Sequence, residues 1–196
     1  MVHEIQLISE SADVPALMTR MQHVQFSLAS GVEAFLEEFI TQGGLSKLIQ
    51  LMRYPKPQLN ISALESVPPL LELASSLEWL KNHSDLILQL YEKICDNNQK
   101  TRYLALQLFV LLCQAMTTQA FIYITKAATN FARRQNKSPF VELIYSLNKK
   151  WDIEVRHLAI QLINCLIVKC SSEKKVSKFL ARLENIGLYD ELMSLS

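Results

Sequence analysis

An internal duplication constrains the fold of this 196-residue chain more than any other feature. Residues 101–108 read TRYLALQL and residues 155–162 read VRHLAIQL, an offset of 54 residues from Arg102 to Arg156. Helical units that recur at about 40–55 residues are typical of armadillo and HEAT proteins, in which no unit buries its apolar face alone. The duplication therefore predicts an all-α, armadillo/HEAT-like helical solenoid of right-handed twist. We expect one domain over residues 1–196, with 1–29 as a helical lead-in and 30–196 as stacked repeats.

The composition supports a folded, helical chain. Hydrophobic residues make up 49% and charged residues 20%, which is far from the disordered regime, and only 4 Gly and 6 Pro are present. Apolar residues recur at helical spacing along most of the chain, and helix-breaking residues divide this pattern into segments. The predicted helices are 14–28, 31–41, 44–53, 60–79, 84–95, 100–116, 118–135, 138–148, 153–169, 173–185 and 187–195.

Several local signals predict where these helices begin and end. Gly43 and Gly187 stand where a left-handed residue ends one helix before the next. Asp13 and Ser138 each precede a helix start with Pro nearby, and residues 54–58, YPKPQ, predict a linker. Between neighbouring repeats we expect six buried leucines: Leu104, Leu108, Leu112, Leu158, Leu162 and Leu166.

The pattern of reactive residues argues against catalysis. The four histidines are scattered, no phosphate-binding or nucleophile motif is present, and paired carboxylates are typical of solvated helix faces. We therefore expect no enzyme activity, no metal and no cofactor. The four cysteines lie in apolar runs without metal-ligand spacing, which predicts reduced core residues of a cytoplasmic protein.

Charge and hydropathy exclude two further classes of partner. The net charge is +1, so the chain has no long-range field that would gather nucleic acid. No apolar run approaches the roughly 20 residues that span a bilayer, and no secretory leader is expected. Three basic clusters, 133–137, 149–150 and 174–178, are interpreted as solvated helix ends, with an acidic partner as the alternative.

Helix 100–116 provides the candidate binding surface. It is apolar nearly all round, as in the third helix of an armadillo unit, whose remaining open side faces a groove. A mixture of apolar and amide side chains there suits an extended or helical peptide. An alternative for Val110 and Leu111 is that they fill the core. The predicted protein-binding residues are Tyr103, Gln107, Val110, Leu111 and Gln114, continued in the second copy by His157, Gln161 and Asn164.

Four segments resemble a known family, the armadillo-type regulatory region of formins, also called the diaphanous inhibitory or third formin-homology domain. Residues 35–48, FLEEFITQGGLSKL, resemble its opening F-I-x-x-x-G-L-x-x-L repeat, and residues 96–113 resemble its N-x-K-T-K … L-x-x-x-C stretch. Residues 124–144 are similar to its long helix, basic linker and R-F-x-x-L-I run. Residues 160–167 with 179–188 resemble L-x-x-I-N-A-L-I … R-x-E-F-x-x-L-G-L.

This resemblance implies a non-catalytic module that binds a Rho-family GTPase in its GTP form, through residues around 14–60. It also implies an intramolecular autoregulatory helix in the groove, and contact with actin only indirectly, through a downstream domain in a cytoskeleton-associated protein. Leu111 and Gln114 depart from the family's small and aliphatic residues in that groove, and residues 69–76 lack its A-L-M-N-x-x-x-G motif. Engulfment adaptors of the ELMO type, which regulate Rac signalling, share two of the motifs and are the alternative.

Overall fold

The structure, a computed structural model, describes residues 14–54, 56–73, 78, 80, 83–116 and 119–195. The expected cap Asp13 lies outside these residues. The chain divides into two compact units, the first ending at Leu86 and the second beginning at Ile87.

The described residues form α-helices without strands, as the periodicity predicts. The helices of the first unit are α1 (Val14–Ala29), α2 (Glu33–Thr41), α3 (Gly44–Leu51), α4 (Pro57–Glu65) and α5 (Pro68–Leu71). Then follow α6 (Ser84–Ile94), which crosses the boundary, α7 (Gln99–Ala115), α8 (Gln119–Gln135), α9 (Val141–Tyr145), α10 (Ile153–Val168), α11 (Glu173–Asn185) and α12 (Leu188–Ser194).

The first unit is built around α1, which packs on α4 and α5. Its apolar stripe of Leu17, Met21, Val24 and Leu28 is fully buried. Between α2 and α3, Gly43 adopts the predicted left-handed conformation with φ of 79°. A Cβ on the next residue, Gly44, would stand 2.5 Å from the buried ring of Phe39, so the two helices approach closely there.

Proline or aromatic packing explains three of the differences between the predicted and the observed helix boundaries. The predicted helix 60–79 ends at Glu65, because Pro68 and Pro69 have no N–H groups to continue the hydrogen-bond ladder. The predicted linker is shorter, because Pro57 occupies the first turn of α4, where its fixed φ is favourable. The predicted start at Ser138 fails because Phe140 takes a left-handed φ of 72° and buries its ring 5.1 Å from that of Phe179.

The second unit is organised by α7, which packs against α8 and α10. Of the six leucines predicted to be buried, Leu158 on α10 is only half-buried, so that prediction is wrong. Its counterpart Leu104 on α7 is buried, which shows that the covering helices, and not the repeated pattern, decide burial. The prediction is confirmed for Leu104, Leu108, Leu112, Leu162 and Leu166.

A buried arginine links α7 to α9. Arg102 is 0% exposed, and its Nε donates to the carbonyl oxygen of Asp96 at 3.1 Å. One terminal nitrogen donates to the Glu142 carbonyl oxygen at 3.2 Å and to Ser146 Oγ at 2.8 Å, and the other lies 3.6 Å from the Glu142 carboxylate. The guanidinium also lies 4.2 Å from the ring centre of Trp151. Burial lowers the pKa of Arg102, and the neighbouring Glu142 opposes that shift.

Candidate protein-binding surface

The exposed side of α7 is narrower than the sequence predicts. Tyr103, Gln107 and Leu111 are half-buried and Gln114 is exposed, whereas Val110 is only 4% exposed. At about 100° per residue, Val110 lies about 20° beyond Tyr103 on the side away from Leu111, where the helix is already covered. The interpretation of Val110 as a groove residue is therefore wrong, and it belongs to the core.

The corresponding side of α10 is more open. His157 and Asn164 are exposed and Gln161 is half-buried. Val168, one turn beyond Asn164 on the same side, is 78% exposed. Because α7 and α10 pack against each other, the two exposed stripes belong to the same helix pair. We call them the α7–α10 surface, defined by Tyr103, Gln107, Leu111, Gln114, His157, Gln161, Asn164 and Val168.

The chemistry of the α7–α10 surface is neutral and mixed. Three glutamines and Asn164 supply amide donors and acceptors, while Leu111 and Val168 supply apolar area. Tyr103 adds an aromatic ring, with the Lys100 ammonium 5.7 Å from its centre. Such a surface can bury apolar side chains of a peptide while amide groups bond its polar atoms.

The first unit exposes an apolar residue that the sequence interpretation missed. Phe26 on α1 is 80% exposed, and Val32, after the helix, is also exposed. Phe26 lies about 180° round the helix from the buried stripe of Leu17 and Leu28, at about 100° per residue. Its position opposite the apolar stripe of α1 is therefore the sequence signal that predicts the exposure of Phe26.

Metal-binding clusters and membrane-spanning helices are both absent from the described residues. These residues hold no group of three or more His, Cys, Asp or Glu side chains arranged to bind a metal ion. None of the helices in the described part of the chain is both long enough and apolar enough to cross a bilayer. All four cysteines are free, but only Cys113 is buried, so the prediction that all are core residues is wrong for Cys95, Cys165 and Cys170.

Comparisons with known proteins identify relatives of this chain. The family model described as the FHOD1/3 FH3 domain matches residues 58–190. Formin-G of Dictyostelium discoideum is 28% identical over 176 residues, covering 90% of this chain and 16% of the relative. Formin-C of the same organism is 24% identical over 160 residues, covering 82% of this chain and 14% of the relative. The chain thus spans less than a fifth of the length of these two formins.

The fold also has solved counterparts. A designed armadillo repeat protein in complex with the peptide (KR)4 matches with a TM-score of 0.73 at 15% identity, covering 98% of this chain and 72% of that one. At this identity the similarity bears on the fold alone, and it supports the predicted armadillo architecture. The family match favours the formin resemblance over the engulfment-adaptor alternative. The chain belongs to the FH3 domain family of formins, an armadillo-type protein-interaction module.

Proposed function

We propose that this chain is the non-catalytic regulatory module of a formin, which binds a Rho-family GTPase in its GTP form and an autoregulatory helix. Binding of the GTPase then controls actin assembly, which a downstream region of the formin carries out. The observation that carries the proposal is the match of residues 58–190 to a formin FH3 domain. The proposal assigns the protein to the cytoplasm, in association with the cytoskeleton.

The autoregulatory helix docks on the α7–α10 surface. The eight residues that define this surface include no Asp, Glu, Lys or Arg, so the attraction comes from apolar burial and amide hydrogen bonds. A designed armadillo protein has been solved with a bound peptide, which supports the suitability of this fold for such partners. Binding by these contacts should depend weakly on salt, because few ion pairs form.

The GTPase docks on the first unit, at the exposed apolar residues Phe26 and Val32. A solvent-exposed phenylalanine costs free energy in water, and burying it against a partner recovers about 1.5–3 kcal/mol. The switch loops of Rho-family GTPases differ in conformation between the GTP and GDP forms. Binding through these loops therefore depends on which nucleotide the GTPase carries.

A binding panel tests GTPase recognition. The chain should capture at least one of the Rho, Rac and Cdc42 types, and only when loaded with a GTP analogue. Phe26→Ser should weaken this capture by about tenfold, since about 1.4 kcal/mol corresponds to a factor of ten. Ile153→Ser in the second unit is the matched control, because Ile153 is also a largely exposed apolar side chain. Equal capture of GDP and GTP forms, or equal effects of both substitutions, would contradict the assignment.

A pair of opposite charge substitutions tests the α7–α10 surface. Asn164 is exposed, so Asn164→Glu and Asn164→Lys should leave the melting temperature unchanged. Both should weaken capture of the C-terminal segment of the same formin, by about tenfold, because either charge must be desolvated against an apolar helix. If one sign weakens and the other strengthens binding, long-range electrostatics governs the interaction and this assignment fails.

A further inference from the structure

Helices α8 and α11 enclose a basic groove that has no part in the proposed function. Two depressions, of about 510 and 170 Å³, lie along it and share Phe121, Thr125 and Lys175. Since they share these residues, they form one continuous groove. We call it the α8–α11 groove, and its cations are Lys126, Arg133, Lys175, Lys178 and Arg182.

The groove combines these cations with an apolar floor. The rings of Phe121 and Phe179 meet edge to face with centres 5.5 Å apart, and Phe179 is buried. Ile122 beside them is 58% exposed. Cations flanking an apolar depression attract carboxylates while leaving room for one or two anchoring side chains.

Basic side chains of α8 and α11 line this groove, and the acidic side chains of α11 lie away from it. Helix α8 contains no acidic residue between Gln119 and Gln135. On α11, Lys175, Lys178 and Arg182 line the groove, whereas Glu173 and Glu184 line a separate depression on the opposite side of the helix. Among the described residues that line the groove, none is a carboxylate that would neutralise its cations.

The fold brings together two basic clusters that are separate in the sequence. Arg133 comes from the first cluster and Lys175 from the third, and both line the larger depression. The neighbouring Arg134 instead pairs with Glu92 at 3.2 Å, and Lys137 pairs with Glu142 at 2.7 Å. These two neighbours are thus paired with carboxylates, whereas the described lining of the groove includes none.

We propose that the α8–α11 groove binds an acidic amphipathic segment of a protein, with its carboxylates at the five cations and an apolar side chain over Phe121 and Ile122. Charge complementarity selects an acidic partner, and the concave shape selects a peptide rather than the flat surface of a membrane. Stacking of nucleic-acid bases would need exposed ring faces, whereas Phe179 is buried and the half-buried Phe121 packs edge to face against it.

Fluorescence anisotropy with a synthetic probe tests this proposal. The probe is a labelled 16-residue helix with glutamates on one side and leucines at i, i+3 and i+7, and the comparison peptide has serine at the leucine positions. The chain should bind the leucine peptide at least about tenfold more tightly than the serine peptide, because only the former fills the floor of the groove. Equal affinities would mean nonspecific attraction between polyelectrolytes and would overturn the proposal.

Variants of the chain locate the binding. Lys175→Glu with Lys178→Glu should weaken binding of the leucine peptide by at least about tenfold, and Ile122→Ser should remove the preference for leucine over serine. Lys56→Glu with Lys149→Glu is the matched control, because it changes the net charge equally at exposed residues outside the groove. If both double variants bind equally well, or if phosphatidylserine vesicles or poly(U) bind while the peptide does not, the proposal is wrong.

Discussion

Removal of the buried arginine Arg102 should destabilise the second unit strongly. Arg102→Ala deletes three hydrogen bonds, to the carbonyl oxygens of Asp96 and Glu142 and to Ser146 Oγ. It also removes the guanidinium next to Trp151, and in the described part of the chain the Glu142 carbonyl oxygen keeps only its bonds from Ser146. Hydrogen bonds to charged groups contribute about 1.5–3 kcal/mol each, and Glu142 keeps its ion pair with Lys137, so we expect a loss of about 3–5 kcal/mol.

The repeat supplies the matched control for this experiment. Arg156 occupies the equivalent position in the second copy, but it is only half-buried, and its buried Nε has no hydrogen-bond partner among the described residues. Arg156→Ala should therefore cost less than about 1 kcal/mol. Arg102→Lys should recover little of the loss, since an ammonium cannot reproduce the planar, forked donors of a guanidinium.

Urea unfolding followed by circular dichroism at 222 nm measures these differences. Arg102→Ala should lower the free energy of unfolding by about 3–5 kcal/mol and the melting temperature by roughly 10–15 °C. Equal losses for Arg102→Ala and Arg156→Ala, or a loss below about 1 kcal/mol for the former, would refute the role assigned to the arginine.

Three further predictions concern packing and burial. Gly44→Ala should destabilise the chain by about 1–3 kcal/mol in urea unfolding, because the new Cβ meets the buried Phe39 ring, and a neutral result would contradict the close approach of α2 and α3. Leu108→Ala should cost about 2–5 kcal/mol, whereas Leu111→Ala at the half-buried position should cost less; reversed magnitudes would contradict the orientation of α7. Burial raises the pKa of the Cys113 thiol to about 12, so its stabilising contribution is full below about pH 9 and falls by about 1.4 kcal/mol per pH unit as the pH rises towards 12. Cys113→Val should flatten the decline in unfolding free energy between pH 8 and 10, and an unchanged slope would contradict this assignment.

Helical periodicity was enough to predict most of the fold. The ends of α7, α8 and α11 agree with the predicted helices to within one residue, because apolar spacing, caps and breakers are local signals. The left-handed residues Gly43 and Gly187 were predicted on the same basis. The left-handed conformation of Phe140 could not be predicted in this way, because it depends on packing against Phe179, which lies far along the chain.

The repeat predicted equal environments where the structure has unequal ones. Arg102 and Arg156 align, yet among the described residues the buried Nε of Arg156 has no hydrogen-bond partner, whereas Arg102 bonds to Asp96 nearby and to Glu142 and Ser146 some 40 residues away. Helical spacing predicts Val110 in the groove because it locates a side chain only to within a fraction of a helical turn. Whether a residue at the border of the buried face is covered or exposed depends on the positions of the neighbouring helices.

Nuclear magnetic resonance of the isotopically labelled chain tests the proposed regulatory surface most directly. The side-chain amide groups of Gln107, Gln114, Gln161 and Asn164 each give signals that report contact at the α7–α10 surface. Titration with the C-terminal segment of the same formin should shift these four signals together, while the signals of Gln22 and Gln50 in the first unit stay in place. Binding that shifts the first-unit signals and leaves the four amides unchanged would contradict the account.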